Sequence, residues 1–138
     1  DGSDKFFFTN DGLMSISRAD LSALAQAKSA NYCGQRIIMD QFGIKTDELS
    51  RLCLAGGFAN YLNVSNAVNI GFIVNVHPDK VEKVGNAALE GATTMLLSGE
   101  MRVVVEELIQ RIEHVELETF PGFFDFFVEG CMFKPMEA

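Results

Sequence analysis

Tryptophan is absent from this sequence of 138 residues, and cysteine, histidine and proline are scarce. The three cysteines, Cys33, Cys53 and Cys131, are odd in number, far apart and without a C-x-x-C pair. An iron–sulfur cluster or a structural zinc ion needs several thiolates brought close together, so we predict no metal site in this chain. We expect three reduced, mostly buried thiols, as is usual for a cytoplasmic protein.

Basic residues and long apolar segments are also few. The chain has 11 Lys and Arg against 19 Asp and Glu, a net charge of −8. We expect no nucleic-acid partner, since binding a phosphate backbone needs clustered Lys and Arg. No apolar run approaches the roughly 20 residues that span a bilayer, and no signal peptide is visible, so we predict no membrane association. Because the sequence starts at Asp1 without a Met, we expect a fragment of a longer protein.

The elements that the sequence does contain predict a single layered domain over residues 1–138. Apolar residues make up 48% of the chain, which is typical of a globular domain. Hydrophobic periodicity and turn residues predict the order β-β-α-β-α-β-α-α-β-α. Since strands alternate with helices, we expect an α/β fold in which helices pack on a mixed sheet. Suitable N-caps for the three middle helices, over residues 64–70, 87–97 and 99–113, are Asn63, Asn86 and Ser98.

The N-terminal part predicts a β-hairpin followed by a long helix. Short apolar runs on either side of Asp11-Gly12 indicate the hairpin, and three adjacent phenylalanines at residues 6–8 suggest a strand covered on both faces. A capping-box pattern then predicts a helix over residues 18–41 that ends at Gly43. Small residues at helical spacing predict close packing of this helix against the sheet. The small residues and the isoleucine that continues their face are Ala23, Ala27, Ala30, Gly34 and Ile37.

The C-terminal part is rich in phenylalanine. Alternating apolar residues over 114–118 predict a half-buried strand, and we place Phe133 in a last strand. Pro121 suits the first turn of a short helix between them. The aromatic side chains of this region are Phe120, Phe123, Phe124, Phe126 and Phe127. We expect core packing for this cluster, and contact with a neighbouring domain or a second copy of the chain is the alternative.

The stretch LCLAGGFANY, residues 52–61, is the most informative part of the sequence. A buried strand runs into Gly56-Gly57 and then towards a helix. Glycine lets the backbone approach a flat ligand that a Cβ would obstruct, and open α/β sheets bind ligands at the carboxyl ends of their strands. A plain turn is the other interpretation of this glycine pair.

A second strand end has the same form in VGNAALEGA, residues 84–92. The strand ends at Gly85, and Asn86 is well suited to cap the helix that follows. Free N–H groups at a helix start are able to face an anion or the edge of a ligand. A capped helix in a tight core explains the same residues without a ligand.

Together these stretches closely resemble the C-terminal domain of reductive activators of corrinoid proteins. The resemblance rests on LAGGFANYLNVSNAVNIGFI and VEKVGNAALEGATTMLLS, and it extends from about Leu13 to Phe133. Those activators are ATP-dependent proteins of anaerobic methyl-transfer systems, including corrinoid methyltransferases and O-demethylases. The resemblance implies part of a ribonuclease-H-like lobe of the actin, sugar-kinase and Hsp70 fold (ASKHA), in which two lobes enclose ATP.

The resemblance also implies which residues hold the nucleotide. In that fold a strand, a glycine pair and a helix hold the adenosine. The implied positions in this chain are Ala55, Gly56, Gly57, Phe58 and Asn60, with Gly85 and Asn86 near the cleft. Phe58 or Asn60 would then be a neighbour of the base or the ribose.

The implied task is the reduction of cob(II)alamin to cob(I)alamin on a corrinoid protein, with ATP and Mg²⁺. The family's Asp-containing phosphate loops and its iron–sulfur module have no counterpart here. Of the two Asp-Gly pairs, Asp1-Gly2 is at the chain end and Asp11-Gly12 is in the expected hairpin turn. We therefore predict that residues 1–138 alone supply one wall of the adenosine pocket and have no ATPase or reductase activity.

Two other functions are open at this point. One is the activation of a different client, such as a 2-hydroxyacyl-CoA dehydratase, although such an activator normally carries cluster-binding cysteines. The other is a non-catalytic docking or dimerisation module, in which the glycine motifs are only tight turns. The nucleoside interpretation makes a geometric prediction, because it requires Gly56-Gly57 and Gly85-Asn86 to converge on an open shelf.

Overall fold

Two strands near the start of the chain form a β-hairpin in the computed structural model, which describes residues 4–136. Strand β1 (Lys5–Phe7) pairs antiparallel with β2 (Ser15–Ser17), and Gly12 in the turn has a φ of +71°, which favours glycine. The expected cover over the three phenylalanines is wrong. All three are more than half exposed, because β1 pairs with β2 alone in a two-stranded sheet. The Asp1-Gly2 pair lies outside the described residues.

The long helix α1 (Arg18–Phe42) confirms the capping pattern of the sequence. The Ser17 hydroxyl accepts a hydrogen bond from the Asp20 N–H at 3.1 Å, and the Asp20 carboxylate accepts one from the Ser17 N–H at 2.9 Å. The Ser17 hydroxyl also donates to that carboxylate, and this bond, followed by the one from the Ser17 N–H, lowers the pKa of Asp20. At its other end the helix ends at Gly43, which has a left-handed φ of +65°.

Helix α6 (Phe123–Gly130) packs along α1. The two backbones come so close that a Cβ added to Gly130 would lie 2.7 Å from the hydroxyl oxygen of Ser29. The buried residues of α1 are Lys28, Ser29, Tyr32, Cys33 and Ile37. The predicted small-residue stripe is therefore wrong for its alanines, Ala23, Ala27 and Ala30, which are exposed. The neighbouring face of α1 is buried instead, because it is the face that contacts α6.

A buried lysine fastens the C-terminal segment to α1. The Lys28 ammonium donates to the carbonyl oxygen of Gly130 at 2.5 Å and to that of Met132 at 2.6 Å. The last carbonyls of a helix lack partners within it, so the lysine satisfies the buried carbonyl of Gly130 at the end of α6, and its second bond reaches two residues beyond the helix. Its ammonium also lies 5.4 Å from the centre of the Tyr32 ring, a favourable distance for a cation. Burial lowers the pKa of Lys28, and these contacts offset the cost of removing its charge from water.

The second sheet is a parallel pair of strands. β3 (Leu52–Ala55) and β4 (Val81–Gly85) run side by side, and the crossover between them carries α2 (Gly57–Tyr61) and α3 (Val64–Asn69). Parallel strands require such a crossover. A core cluster packs against these strands and consists of Ala67, Val68 and Ile73. A mixed sheet contains both parallel and antiparallel strand pairs. Both kinds of pair are present, but the antiparallel pair β1–β2 and the parallel pair β3–β4 form two separate sheets.

Helices α4 (Ala87–Leu97) and α5 (Gly99–Ile109) follow β4 and pack mainly against each other. None of their residues is buried. Apolar side chains that are half exposed or more are Leu89, Leu96, Leu97, Val103, Val104, Leu108 and Ile109. The predicted end of α5 at residue 113 is wrong, because the chain leaves the helix in a turn closed by the bond from the Arg111 N–H to the Leu108 carbonyl. Within residues 4–136, no helix combines the length and apolar character needed to cross a membrane.

The two strands predicted after α5 are also wrong. Residues 114–118 form irregular structure that runs into a 3₁₀ helix at Leu117–Thr119, and Phe133 lies in a bend. The alternating pattern has another cause: the Leu117 side chain lies against α1, 3.5 Å from where a Cβ on Gly34 would be. The aromatic cluster is core packing in part, since Phe124 is 72% exposed. The half-buried members are Phe120, Phe123, Phe126 and Phe127.

Candidate functional site

The carboxyl ends of β3 and β4 meet at one edge of the parallel pair. The Gly56 N–H donates to the Gly85 carbonyl oxygen at 2.7 Å, which ties the two turns together. A register irregularity after Leu54 pairs Ala55 with Gly85. The structure thus brings together the two glycine turns whose convergence the sequence analysis required.

Two of the three glycines at this edge are required by the backbone. Gly56 has a φ of +94° and Gly85 a φ of +67°, and side chains with a Cβ disfavour this region. Gly57 is not in the left-handed region, so the backbone alone does not explain why it is glycine. A Cβ at any of the three would meet no atom within 4 Å. These three glycines, which we name the glycine shelf, therefore border open space.

An exposed aromatic ring stands next to the glycine shelf. Phe58 is 71% exposed, and its ring contacts Phe72 edge-on with 6.1 Å between the ring centres. This contact holds the ring against the protein while leaving most of it accessible. Asn60, one residue from the end of α2, is exposed as well. A held but accessible ring is a suitable surface on which a nucleobase can stack.

A cavity of about 290 Å³ has Ala55 and Phe58 in its wall, and none of the three glycines of the glycine shelf lines it. The other apolar side chains of the wall are Leu52, Leu54, Ala59, Leu62, Phe72 and Ile73. Its two amide side chains, Asn31 and Gln35, both donate to the Phe72 carbonyl oxygen. An apolar wall with few polar groups is typical of small-molecule sites. Three larger cavities, of about 340, 350 and 470 Å³, are lined by none of the predicted site residues.

Asn86 serves the helix that follows it. Its side-chain oxygen accepts from the Leu89 N–H at 3.1 Å, which confirms the predicted N-cap of α4. The cap fixes the start of α4 next to Gly85. The seven predicted site residues thus lie at the last residues of β3 and β4, in the caps that follow these strands, or in α2; they are Ala55, Gly56, Gly57, Phe58, Asn60, Gly85 and Asn86.

Lys83 is a residue of this region that the sequence analysis missed. Its ammonium donates to the carbonyl oxygen of Asn60 at 3.0 Å and to that of Leu62 at 2.8 Å. From the sequence alone, a lysine in a strand of mixed polar and apolar residues is interpreted as an ordinary residue that faces solvent. Its two partners follow the strand β3, 21 and 23 residues earlier in the chain. No signal in the sequence could have found this contact.

Elsewhere in the described part of the chain, the side chains that could bind a metal ion or a phosphate make local contacts or lie far from one another. The Asp11 carboxylate accepts from the Thr9 hydroxyl at 2.5 Å and from the Leu13 N–H at 3.0 Å, and these bonds lower its pKa. Asp11 therefore closes the hairpin turn, as predicted. The buried Cys33 thiol has its pKa raised by desolvation, whereas Cys53 is exposed. In the part of the chain that the structure describes, no three His, Cys, Asp or Glu residues are grouped to hold a metal ion.

This chain matches known proteins by family, by sequence and by fold. Residues 7–138 match the family described as the C-terminal domain of RACo, the ASKHA domain. The corrinoid activation enzyme RamQ of Eubacterium limosum is 34% identical over 118 residues, which are 86% of this chain and 20% of RamQ. The solved structure of a reductive activator for corrinoid, iron-sulfur protein superposes with a TM-score of 0.82 at 28% identity. That superposition covers 99% of this chain and 23% of the solved chain.

These matches define the chain as an actin-like ASKHA domain. The fold agrees with this, as do the hydrogen-bonded glycine turns at the ends of the parallel strands. More particularly, the chain belongs to the family formed by the C-terminal ASKHA domain of RACo. The family resemblance and the fold class that the sequence indicated are thereby confirmed. The chain spans about a fifth of the length of the two relatives.

Proposed function

We propose that this chain is the adenosine-binding part of an ATP-dependent activator that reduces a corrinoid protein from cob(II)alamin to cob(I)alamin. Membership of the RACo family and the names of the two relatives, both activators for corrinoid proteins, support the general role. The observation that carries the nucleoside assignment is the glycine shelf, where two parallel strands end side by side and border open space.

Each residue of the proposed site has a definite task. The backbone at Gly56 and Gly57 contacts one face of the nucleoside, which a Cβ would push away. The Phe58 ring stacks on or lies edge-on to the base, and the Asn60 amide donates and accepts hydrogen bonds with the ribose or the base. Gly85-Asn86 and Ala55 complete the rim through their backbone. A Cβ at any of the three shelf glycines would point into open space, and this supports a nucleoside site at the shelf.

In this proposal, other parts of a longer protein bind the phosphates and transfer the electron. Bound ATP with Mg²⁺ supplies the free energy, and it does so only through its different affinity for the two states of the activator. An iron–sulfur cluster in another part of the longer protein would supply the one electron that reduces the cobalt of the corrinoid partner. This chain's own residues bind and orient the adenosine.

Isolated residues 1–138 are expected to bind adenosine and ATP with similar affinity and to hydrolyse neither. The reason is that the shelf contacts the nucleoside, whereas Lys83, the lysine of the adjoining strand, is already engaged by two carbonyl oxygens. Isothermal titration with adenosine, ATP and GTP measures the affinities, and phosphate release measures hydrolysis. Stoichiometric ATP hydrolysis, or no binding of adenosine at all, would contradict the proposal.

The exposed apolar face of α4 and α5 supports a second role, that of a docking surface. Seven large apolar side chains that are half exposed or more are far more than solvent-facing helices normally carry. Because the relatives are about five times longer than this chain, we propose that another part of such a longer protein packs on this face. The docking role and the nucleoside role use different surfaces, so both can hold.

The docking surface predicts that the isolated chain self-associates at high concentration. Exchanging Leu96 and Val104 for glutamate should abolish this association, because two charges replace apolar side chains that are 77% and 51% exposed. Phe42→Glu is the matched control, since Phe42 is 73% exposed at the end of α1 and should not affect association. Analytical ultracentrifugation decides between the outcomes. A monomeric wild-type chain, or equal effects of all three exchanges, would remove this role.

A further inference from the structure

The short helix α2 is held to β4 at both of its ends. At its start, the Gly56 N–H donates to the Gly85 carbonyl oxygen at 2.7 Å. At its end, the Lys83 ammonium donates to the carbonyl oxygens of Asn60 and Leu62 at 3.0 and 2.8 Å. The first tie is made by the backbone of β4 at Gly85, and the second by the side chain of Lys83 in the same strand.

A helix of five residues needs such ties. Isolated helices of this length are not stable in water, because the cost of fixing the first turn exceeds the gain from few hydrogen bonds. The last carbonyls of a helix have no partners within it, and a positive charge near them is favourable. A single ammonium that takes two of these carbonyls fixes both the end of the helix and its tilt. The tilt of α2 in turn sets where Gly57, Phe58 and Asn60 stand relative to Gly85.

We propose that Lys83 is a positioning residue for the nucleoside site, which it shapes through α2 without touching the ligand. The inference rests on the proposed function of the glycine shelf, and it adds a residue outside the strand–glycine–helix pattern. Lys83 does this from the middle of β4, where it pairs with Leu54 across the sheet. Its ammonium is committed to two carbonyls and does not serve as a phosphate contact.

Exchange of Lys83 for methionine tests this inference, since methionine keeps the apolar stem and removes the charge and the donors. The dissociation constant for adenosine should rise roughly tenfold, as the loss of about 1.4 kcal/mol would produce. Amide exchange of residues 58–61 should become faster, while global thermal stability changes little. Lys83→Arg should restore the affinity to within about threefold of wild type, since a guanidinium can also donate to two carbonyls. A merely structural surface contact predicts neither the affinity loss nor the rescue.

The chain offers a matched control in Lys80. Its ammonium donates to a single carbonyl oxygen, that of Asp47, at 3.0 Å, next to the opposite end of β4. Lys80→Met should leave the adenosine affinity unchanged. If both lysine exchanges weaken binding equally, or if Lys83→Met binds as wild type does, Lys83 is not a positioning residue, although the shelf assignment stands. Failure of the wild-type chain to bind adenosine is a different result, which removes the shelf assignment itself. If Lys83→Met does not fold, Lys83→Gln carries the same comparison.

Discussion

Replacing Gly57 by valine is expected to abolish nucleoside binding and to leave the fold intact. The branched side chain would fill the open space above the glycine shelf, where the proposed ligand lies. Gly57 has no left-handed φ, and a Cβ there would point into open space, so we expect the exchange to leave the fold intact. We expect the dissociation constant for adenosine to rise at least about 100-fold, which corresponds to roughly 2.7 kcal/mol. Isothermal titration measures it directly.

A second glycine in the chain supplies the control for this experiment. Gly91 also lies in a helix, has no left-handed φ and would place a Cβ in open space, but it is well inside α4. Gly91→Val should bind adenosine as wild type does and should melt at a similar temperature. If Gly57→Val retains normal affinity, the glycine pair is only a tight turn. If Gly91→Val loses affinity as well, the effect does not come from the shelf.

Replacing Gly71 by alanine is expected to destabilise the fold by about 2–5 kcal/mol. Gly71 has a φ of +69°, and a Cβ there would overlap the backbone carbonyl oxygen of Lys134 and lie 3.4 Å from the Lys28 ammonium. The left-handed backbone costs roughly 1–2 kcal/mol, and overpacking adds roughly 1–3 kcal/mol. The neighbouring backbone has little freedom to move away, because Lys28 also holds the carbonyls of Gly130 and Met132. Thermal unfolding followed by circular dichroism should show a melting temperature lower by roughly 10 °C or more.

Gly43→Ala separates the backbone part of this effect from the steric part. Gly43 has nearly the same φ, +65°, but a Cβ there would meet nothing within 4 Å. We therefore expect Gly43→Ala to cost only about 1–2 kcal/mol. Equal losses for the two exchanges would show that the contact with Lys134 is unimportant. The difference in stability between the two variants is relevant to the proposed nucleoside site, because Gly71 precedes Phe72, whose ring supports that of Phe58.

Local signals in the sequence predicted much of this fold correctly. The capping box at Ser17, the N-caps at Asn63, Asn86 and Ser98, and the left-handed Gly43 are all found in the structure. Each depends on a side chain and a backbone group within a few residues of each other, so the sequence alone carries the information. The two strands ending in glycine were predictable for the same reason.

Two of the wrong predictions involve partners that are distant in sequence. The alternation over residues 114–118 was interpreted as a strand, but Leu117 packs against α1 near Gly34. The alanine face of α1 was expected to pack on a sheet, whereas α6 packs on the neighbouring face, around Ser29. A periodic pattern shows that one side of an element is buried, and it does not show what covers that side.

The helix starts, the glycine-ended strands and the family of the chain could all be predicted from the amino-acid sequence. These follow from local hydrogen bonds, backbone preferences and a contiguous motif. Three contacts became known only from the folded structure: Gly56 and Gly85 are hydrogen-bonded neighbours, Lys83 holds the end of α2, and a buried Lys28 fastens the C-terminal segment. These contacts join residues 21 to 104 positions apart, and the closing of such long loops depends on the packing of the whole domain.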